Sequence, residues 1–480
     1  MSQSDALSIK SAPKEKLTFS TKMAYGAGDL GPAITAMVLL SFLSPFLTNV
    51  AHLSPGLAGQ SQLVGKIWDA INDPIVGMMS DRGNVFGEKI KQRWGRRYPW
   101  MLVGAIPFGL FFFLQWLVPF GVENQLGLFA FYTFISILFN TFYTVVNLPY
   151  TALTAELTQD YDERTSLSSF RFSFSIGGSI LALLIATAAF SVKISPQAQY
   201  LWIGGICGVI SILPLFWSVF GTRRQAQLNA EPPDESADMS WLKQMRSALA
   251  NKPFLYVIGI YLSSWFSLQL TAAVIPYFVV DYMGMSNQSM PLVMLAVQGT
   301  ALAMLSVWSK LAQKLGKKTV YVIGMILWIF AQGGLFLLQP GQIGLMYGLA
   351  ILAGIGVSTA YLIPWSMLPD VIELDELNTG KRREGFFYSF MVFSQKICLG
   401  FAVALMLQSL DAAGFKPPVN DVSQVQTPEV LMAIRWSIGP IPTLSLVCGL
   451  ICAYFYPITK ERHQQTLLAL AERKRMSEPK

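Results

Sequence analysis

Leu148-Pro149-Tyr150-Thr151-Ala152-Leu153-Thr154-Ala155-Glu156 and Ile363-Pro364-Trp365-Ser366-Met367-Leu368-Pro369-Asp370 are one motif written twice. Proline, aromatic and hydroxyl recur in step, 215 residues apart, and an acid closes each copy. Each copy closes a long apolar run. A second repeat keeps the same order along the chain: Gly95-Arg96-Arg97 precedes the first motif, and Gly316-Lys317-Lys318 precedes the second. Correspondence over nearly half the chain length predicts two related halves.

Composition says what the halves are made of. Of 480 residues, 53% are hydrophobic and 13% charged, against about 25% charged in soluble domains. So few charges cannot cover a water-exposed surface, and disorder needs low hydrophobicity and high net charge. The chain is an integral membrane protein. A helical span needs about 20 mostly apolar residues. Twelve such runs lie near 23–49, 55–80, 98–119, 126–156, 166–191, 199–221, 253–283, 290–313, 319–338, 343–370, 386–410 and 430–456. The polar stretch 222–252, with Glu231-Pro232-Pro233-Asp234, divides them into an N-terminal half (23–221) and a C-terminal half (253–456). Tails of 1–22 and 457–480 flank them. The expected fold is all-α, twelve transmembrane helices in two pseudo-symmetric six-helix halves, the pattern of major facilitator transporters that bind cargo between the halves near the midplane.

Lysine and arginine set the orientation. With both termini inside, 29 of 35 fall on inner loops and tails or, for Lys310, at the inner end of span 8, and two, Lys193 and Lys416, on outer loops. That asymmetry predicts cytoplasmic N- and C-termini in a multi-pass protein of the cell membrane. The net charge of +7 is then a topology signal, and no nucleic acid is expected. The polar segment Met1–Lys22 lacks the apolar core of a removable signal peptide. The tail beyond Tyr456 carries Leu467, Leu468 and Leu470 among charges. It reads either as an amphipathic helix on the inner surface or as a solvated end.

Rare residues exclude other chemistry. The two histidines, His52 and His463, are 411 positions apart, which disfavours a histidine metal cluster or a Ser-His-Asp site. Cys207, Cys398, Cys448 and Cys452 sit in apolar runs as small packing residues. No Gly-x-x-x-x-Gly-Lys-Ser/Thr loop offers ATP as an energy source. An enzyme is therefore not expected.

A charge at the bilayer centre costs ~2.5–3.5 kcal/mol on insertion scales. Span 2 holds three within Lys66-Ile67-Trp68-Asp69-Ala70-Ile71-Asn72-Asp73-Pro74. A rise of 1.5 Å per residue puts Lys66 and Asp69 near the midplane. Asp69 and Asp73 share a helical face at i, i+4, beside Asn72. Two carboxylates ~6 Å apart repel by about 2.8 kcal/mol at an effective dielectric of 20. Such a pair calls for a proton or a hard cation such as Na⁺. The plainer alternative, a Lys66 salt bridge, leaves the second acid unexplained. Lys396 lies near the midplane of span 11, and Arg171 about a turn and a half into span 5. Either engages an anionic or polar substrate, or gates or neutralises the aspartates. Asp29 in span 1 is shallow and open to both readings. At the inner ends Asp81-Arg82 with Arg96-Arg97, Asp162-Glu163-Arg164, and Glu373 with Arg383 are candidate gate pairs.

These residues carry a resemblance. Trp68-Asp69-Ala70-Ile71-Asn72-Asp73-Pro74, with Tyr25-Gly26 and Arg96-Arg97-Tyr98-Pro99-Trp100, is similar to the glycoside–pentoside–hexuronide:cation symporter family, the sodium:galactoside group of the major facilitator superfamily. The resemblance implies a cation site (Na⁺ or H⁺) of Asp69, Asp73, Asn72 and Thr144, with Lys396 and Arg171 as coupling or sugar-contacting residues. The sugar-binding pattern departs: Ala33, Asn147 and Thr151 stand where melibiose-type members carry two aspartates and a tryptophan. Leu148–Leu153 and Pro364–Ile372 are closer to the sodium-dependent lysophosphatidylcholine symporters. The expected function is symport driven by a Na⁺ or H⁺ gradient, moving a sugar or glycoside, or alternatively a lysophospholipid. No cofactor beyond the co-transported cation, and no partner beyond bilayer and substrate, is called for. A non-transporting receptor is the reading from another class; midplane acids argue against it.

Overall fold

The computed structural model describes residues 17–82, 85–158, 161–228, 251–379, 384–419 and 424–477. Ten helices or helix pairs there are long and apolar enough to cross a membrane. Two further helices complete the expected twelve. Span 2, Pro55–Arg82, is one continuous helix made less apolar by its own charges, and span 3, Tyr98–Leu114, has 17 residues. The others are span 1 (Phe19–Asn49), span 4 (Gln125–Leu157), span 5 (Tyr161–Ser191) and span 6 (Pro196–Leu228). Then come span 7 (Lys252–Tyr282), span 8 (Ser289–Leu315), span 9 (Lys317–Leu337), span 10 (Ile343–Thr379), span 11 (Glu384–Ala412) and span 12 (Pro428–Phe455). A surface helix Glu88–Trp94 meets span 3 at 91°, and a tail helix occupies Lys460–Ser477.

Local chemistry sets the ends. Asn124 caps span 4 by accepting from Gly127 N at 2.9 Å, and Asn251 caps span 7 by accepting from Phe254 N at 3.1 Å; both satisfy otherwise orphaned helix donors. Gly316, at φ 87°, allows span 8 to turn at once into span 9. Span 12 breaks at Gly439-Pro440, since proline cannot continue the hydrogen-bond ladder. Several expected boundaries shift. Span 3 ends at Leu114 rather than 119, and span 10 runs on to Thr379. Span 6 stays helical through Leu228, so the linker begins later than 222; most of it, 229–250, lies outside the described residues.

The duplication read from two motifs extends through the packing. Span 1 packs on spans 5 and 6, span 2 on 4, and span 3 on 4 and 6. The corresponding pairs 7 with 11 and 12, 8 with 10, and 9 with 10 and 12 also form. Each half opens with a helix carrying a π-helical turn, Leu39–Leu43 within span 1 and Phe278–Tyr282 at the end of span 7. Between the halves, span 2 meets span 11, span 5 meets span 8, and the outer end of span 1 meets span 7. The seam between the halves is tight here: a Cβ on Gly59 would come within 3.1 Å of Ala404 Cα, and one on Gly400 within 2.8 Å of Lys66 Cβ. Thr48 and Tyr277 hydroxyls bond across it at 2.8 Å.

Candidate cation and substrate site

Span 2 brings Asp69 (2% exposed) and Asp73 to one face, as i, i+4 spacing requires. Trp68 Nε1 donates to Thr141 Oγ1 at 2.8 Å and ties this stretch to span 4. One turn further along span 4, buried Thr144 donates from Oγ1, 2.9 Å from Asp73 Oδ1 and 3.3 Å from Asp69 Oδ1. From the other half, Lys396 Nζ on span 11 lies 2.8 Å from Asp69 Oδ1 and 2.6 Å from Asp73 Oδ2. An ammonium therefore occupies the space between the two carboxylates. It also joins the halves at mid-membrane.

Lys66 takes the outer flank, 3.7 Å from Asp69 Oδ2 and 3.5 Å from Asn140 Oδ1. Its i+3 pairing forms, as an accessory to the Lys396 bridge. Asn72 is buried beside the acids, and among the described residues its amide nitrogen has no hydrogen-bond partner. Asp69, Asp73, Thr144, Lys396 and Lys66 are thus brought into one cluster, with Asn72 adjacent in span 2. The cluster holds two anions and two cations, so nearest-neighbour charge is balanced.

Arg171 goes elsewhere. Its Nε is 3.7 Å from Asp29 Oδ2, so it neutralises span 1 rather than an acid of span 2. Around this pair Tyr150 donates to Tyr25 O at 2.8 Å, and the hydroxyls of Tyr25 and Thr154 bond each other. Asp29 and Arg171 were each open to two readings; charge pairing in a low-dielectric interior unites them. Of the residues at the departed sugar positions, Thr151 bonds its own helix at Leu148 O (2.9 Å), and Asn147 has a buried Oδ1 without a partner among the described residues.

At the span ends nearest the chain termini, each basic repeat meets the acid of the proline motif. Arg96 and Arg97 approach Glu156 Oε1 at 2.8 and 3.2 Å. Lys317 holds both oxygens of Asp370 at 2.7 and 2.8 Å. Each basic cluster thus binds the acid of its own half. Of the other candidate gate residues, Glu163 binds Lys22 at 2.9 Å, and Glu373 binds His463 at 2.6 Å. The side chains of Asp81, Arg82, Asp162, Arg164 and Arg383 lie outside the described residues.

Two features escaped the sequence reading. Tyr261 and Trp265 on span 7 meet Trp365 and Tyr361 on span 10, with ring centroids 5.6 Å apart in each pair, and Trp365 stacks on Tyr388. Tyr261 donates to Gln395, next to Lys396, at 2.6 Å. Aromatics at i, i+4 on both spans were the available signal. The other feature is a cavity of about 760 Å³, its open mouth included, lined by Met37, Leu40, Leu268, Ile275, Met294 and Val357 among others. No sequence periodicity marks it, because its walls come from six spans.

The chain matches the family described as MFS/sugar transport protein over residues 24–460. It is 45% identical to an uncharacterized symporter of Synechocystis sp., covering 95% of this chain and 97% of that one. It is 27% identical to the sodium-dependent lysophosphatidylcholine symporter 1 of Mus musculus, over 96% of this chain and 90% of the relative. Among solved structures it superposes on a bacterial homolog of the human lysosomal transporter Spinster, inward-facing and unoccupied. That match has a TM-score of 0.63 at 13% identity, covers 94% of this chain and 97% of the other, and speaks for the fold.

Proposed function

Since this chain belongs to the MFS/sugar transport protein family, we propose that it is a secondary symporter using alternating access, with Asp69, Asp73 and Thr144 binding the coupling cation. The supporting observation is the Lys396 bridge. A side-chain ammonium sits 2.8 and 2.6 Å from two carboxylates contributed by the opposite half. Carboxylate and hydroxyl oxygens suit a hard cation or a proton. When Na⁺ or H⁺ enters from solution, the two acids no longer need the ammonium. Lys396 is then freed from span 2, and the tie between the halves at mid-membrane is cut. Exchange of one positive charge for another couples ion binding to movement of the halves without burying an uncompensated anion. The tight seam, on the outer side when both termini are cytoplasmic, fits an inward-facing state.

The test is uptake into reconstituted vesicles, with and without an inward Na⁺ or H⁺ gradient. The Asp69→Asn/Asp73→Asn double variant is expected to lose gradient-driven accumulation. Full coupling in that variant would remove the proposed cation site.

A specific observation favours an amphiphile over a sugar as cargo. The cavity walls offer mainly aliphatic and thioether side chains, with Ser41, Thr271, Gln298 and Tyr361 among the few polar groups. A sugar leaves its hydroxyls unpaired there, at about 1–3 kcal/mol each, whereas an acyl chain gains about 0.8 kcal/mol per buried methylene. The family relatives include lysophosphatidylcholine symporters. Labelled lysolipids and a sugar panel, offered to the same vesicles, decide the cargo.

A further inference from the structure

The tail helix Lys460–Ser477 folds back against the inner end of span 10. Its His463 Nε2 is 2.6 Å from Glu373 Oε2 and 3.5 Å from Asp370 Oδ1. The groups facing the imidazole are Glu373 and Asp370 from span 10, and Lys317, bound to Asp370, from the start of span 9. Tyr456, 3% exposed, closes the chain segment leading into the helix. On the tail helix itself, Arg462 turns away, 3.5 Å from Pro457 O, and Thr466 is 4% exposed. The matching place in the N-terminal half differs: Glu156 has two arginines and receives no histidine.

The charges count simply. With a neutral imidazole, two carboxylates face one ammonium and the cluster is left at minus one. A protonated imidazole brings it to zero and adds a charge-assisted bond to Glu373. Histidine is the side chain whose ordinary titration falls in the cytoplasmic pH range.

We propose that His463 is a proton-operated clasp, fastening the tail helix to span 10 through Glu373 and Asp370 when the inner face is acidified and loosening it as pH rises. The clasp stands on this geometry alone. Its bearing on transport rests on the symport reading, because span 10 is one of the helices that would move.

Amide exchange of residues 464–470 in the full-length protein in vesicles tests it, corrected for the intrinsic pH dependence of exchange. Protection is expected to be about fivefold greater near about pH 6 than near about pH 8, the size of one partly exposed ion pair. His463→Gln, which keeps a hydrogen-bonding side chain but cannot be protonated, should abolish the step. His463→Arg, with a fixed charge, should hold the helix protected at both pH values. Absence of a step in the wild type, or its survival in His463→Gln, overturns the clasp. A cation-uptake defect with the step intact would count against the symport reading and leave the clasp standing.

Discussion

Lys396 is the side chain on which the proposed cation site turns, because removing it is expected to have opposite effects on binding and on movement. Buried pairs that lose one partner cost about 3–5 kcal/mol, and here two carboxylates would lose theirs. Lys396→Ala is therefore expected to bind the coupling cation more tightly, by roughly tenfold, while transport falls. Cation titration in detergent and uptake in vesicles separate the two; weaker cation binding would show that Lys396 supports the site rather than competing for it. Thr144→Val removes a hydroxyl shared by both acids. A hydrogen bond to a charged group contributes about 1.5–3 kcal/mol, so cation affinity should drop by at least about tenfold with the fold intact. At this scale the acids of span 2 were legible as charges too costly to be idle. Thr144 was not legible from residue chemistry, since a threonine in an apolar run bonds its own helix as readily as a neighbour; the family resemblance supplied it. The partner of Arg171 was not legible, because a sequence shows a charge's depth but not its bearing around the bundle.

With both termini cytoplasmic, spans 2 and 11 form an element pair that closes the outer side. Gly59 and Gly400 let the two backbones approach until an added Cβ would stand 3.1 and 2.8 Å from the opposing helix. A leucine at either position forces the helices apart, which overpacking experience puts at roughly 1–3 kcal/mol. Gly59→Leu and Gly400→Leu should thus shift the protein towards an outward-open state. A cysteine placed at Ser41, which lines the apolar cavity, would then react faster with a thiol reagent added from outside, on a background without the native cysteines. Unchanged labelling would mean that the seam does not control access. The spans themselves were readable from hydropathy. Their breaks were only partly so: Gly439-Pro440 announces itself, whereas the π-helical turns of spans 1 and 7 carry no composition of their own.

For the whole molecule the distribution of lysine and arginine makes a prediction about sidedness. Cysteines introduced at Lys193 and Lys416 should be labelled from outside intact cells, and ones at Lys22 and Arg223 only after permeabilisation. The reverse pattern would invert the topology and place the Lys317–Asp370 and Arg96–Glu156 pairs on the outer face.

Membrane insertion, the helical spans, their duplication and the unusual charges of span 2 follow from the sequence alone. Each rests on a local cost, that of exposing apolar residues to water or charges to lipid, and such a cost is written in the residues that bear it. Which charges neutralise which was decided only by tertiary structure. Lys396 reaches Asp69 across 327 residues of chain, Arg171 turns to Asp29, and His463 returns to Glu373. Electrostatic pairing in a low-dielectric interior depends on distance in space, and helix rotation and docking set that distance, not order along the chain.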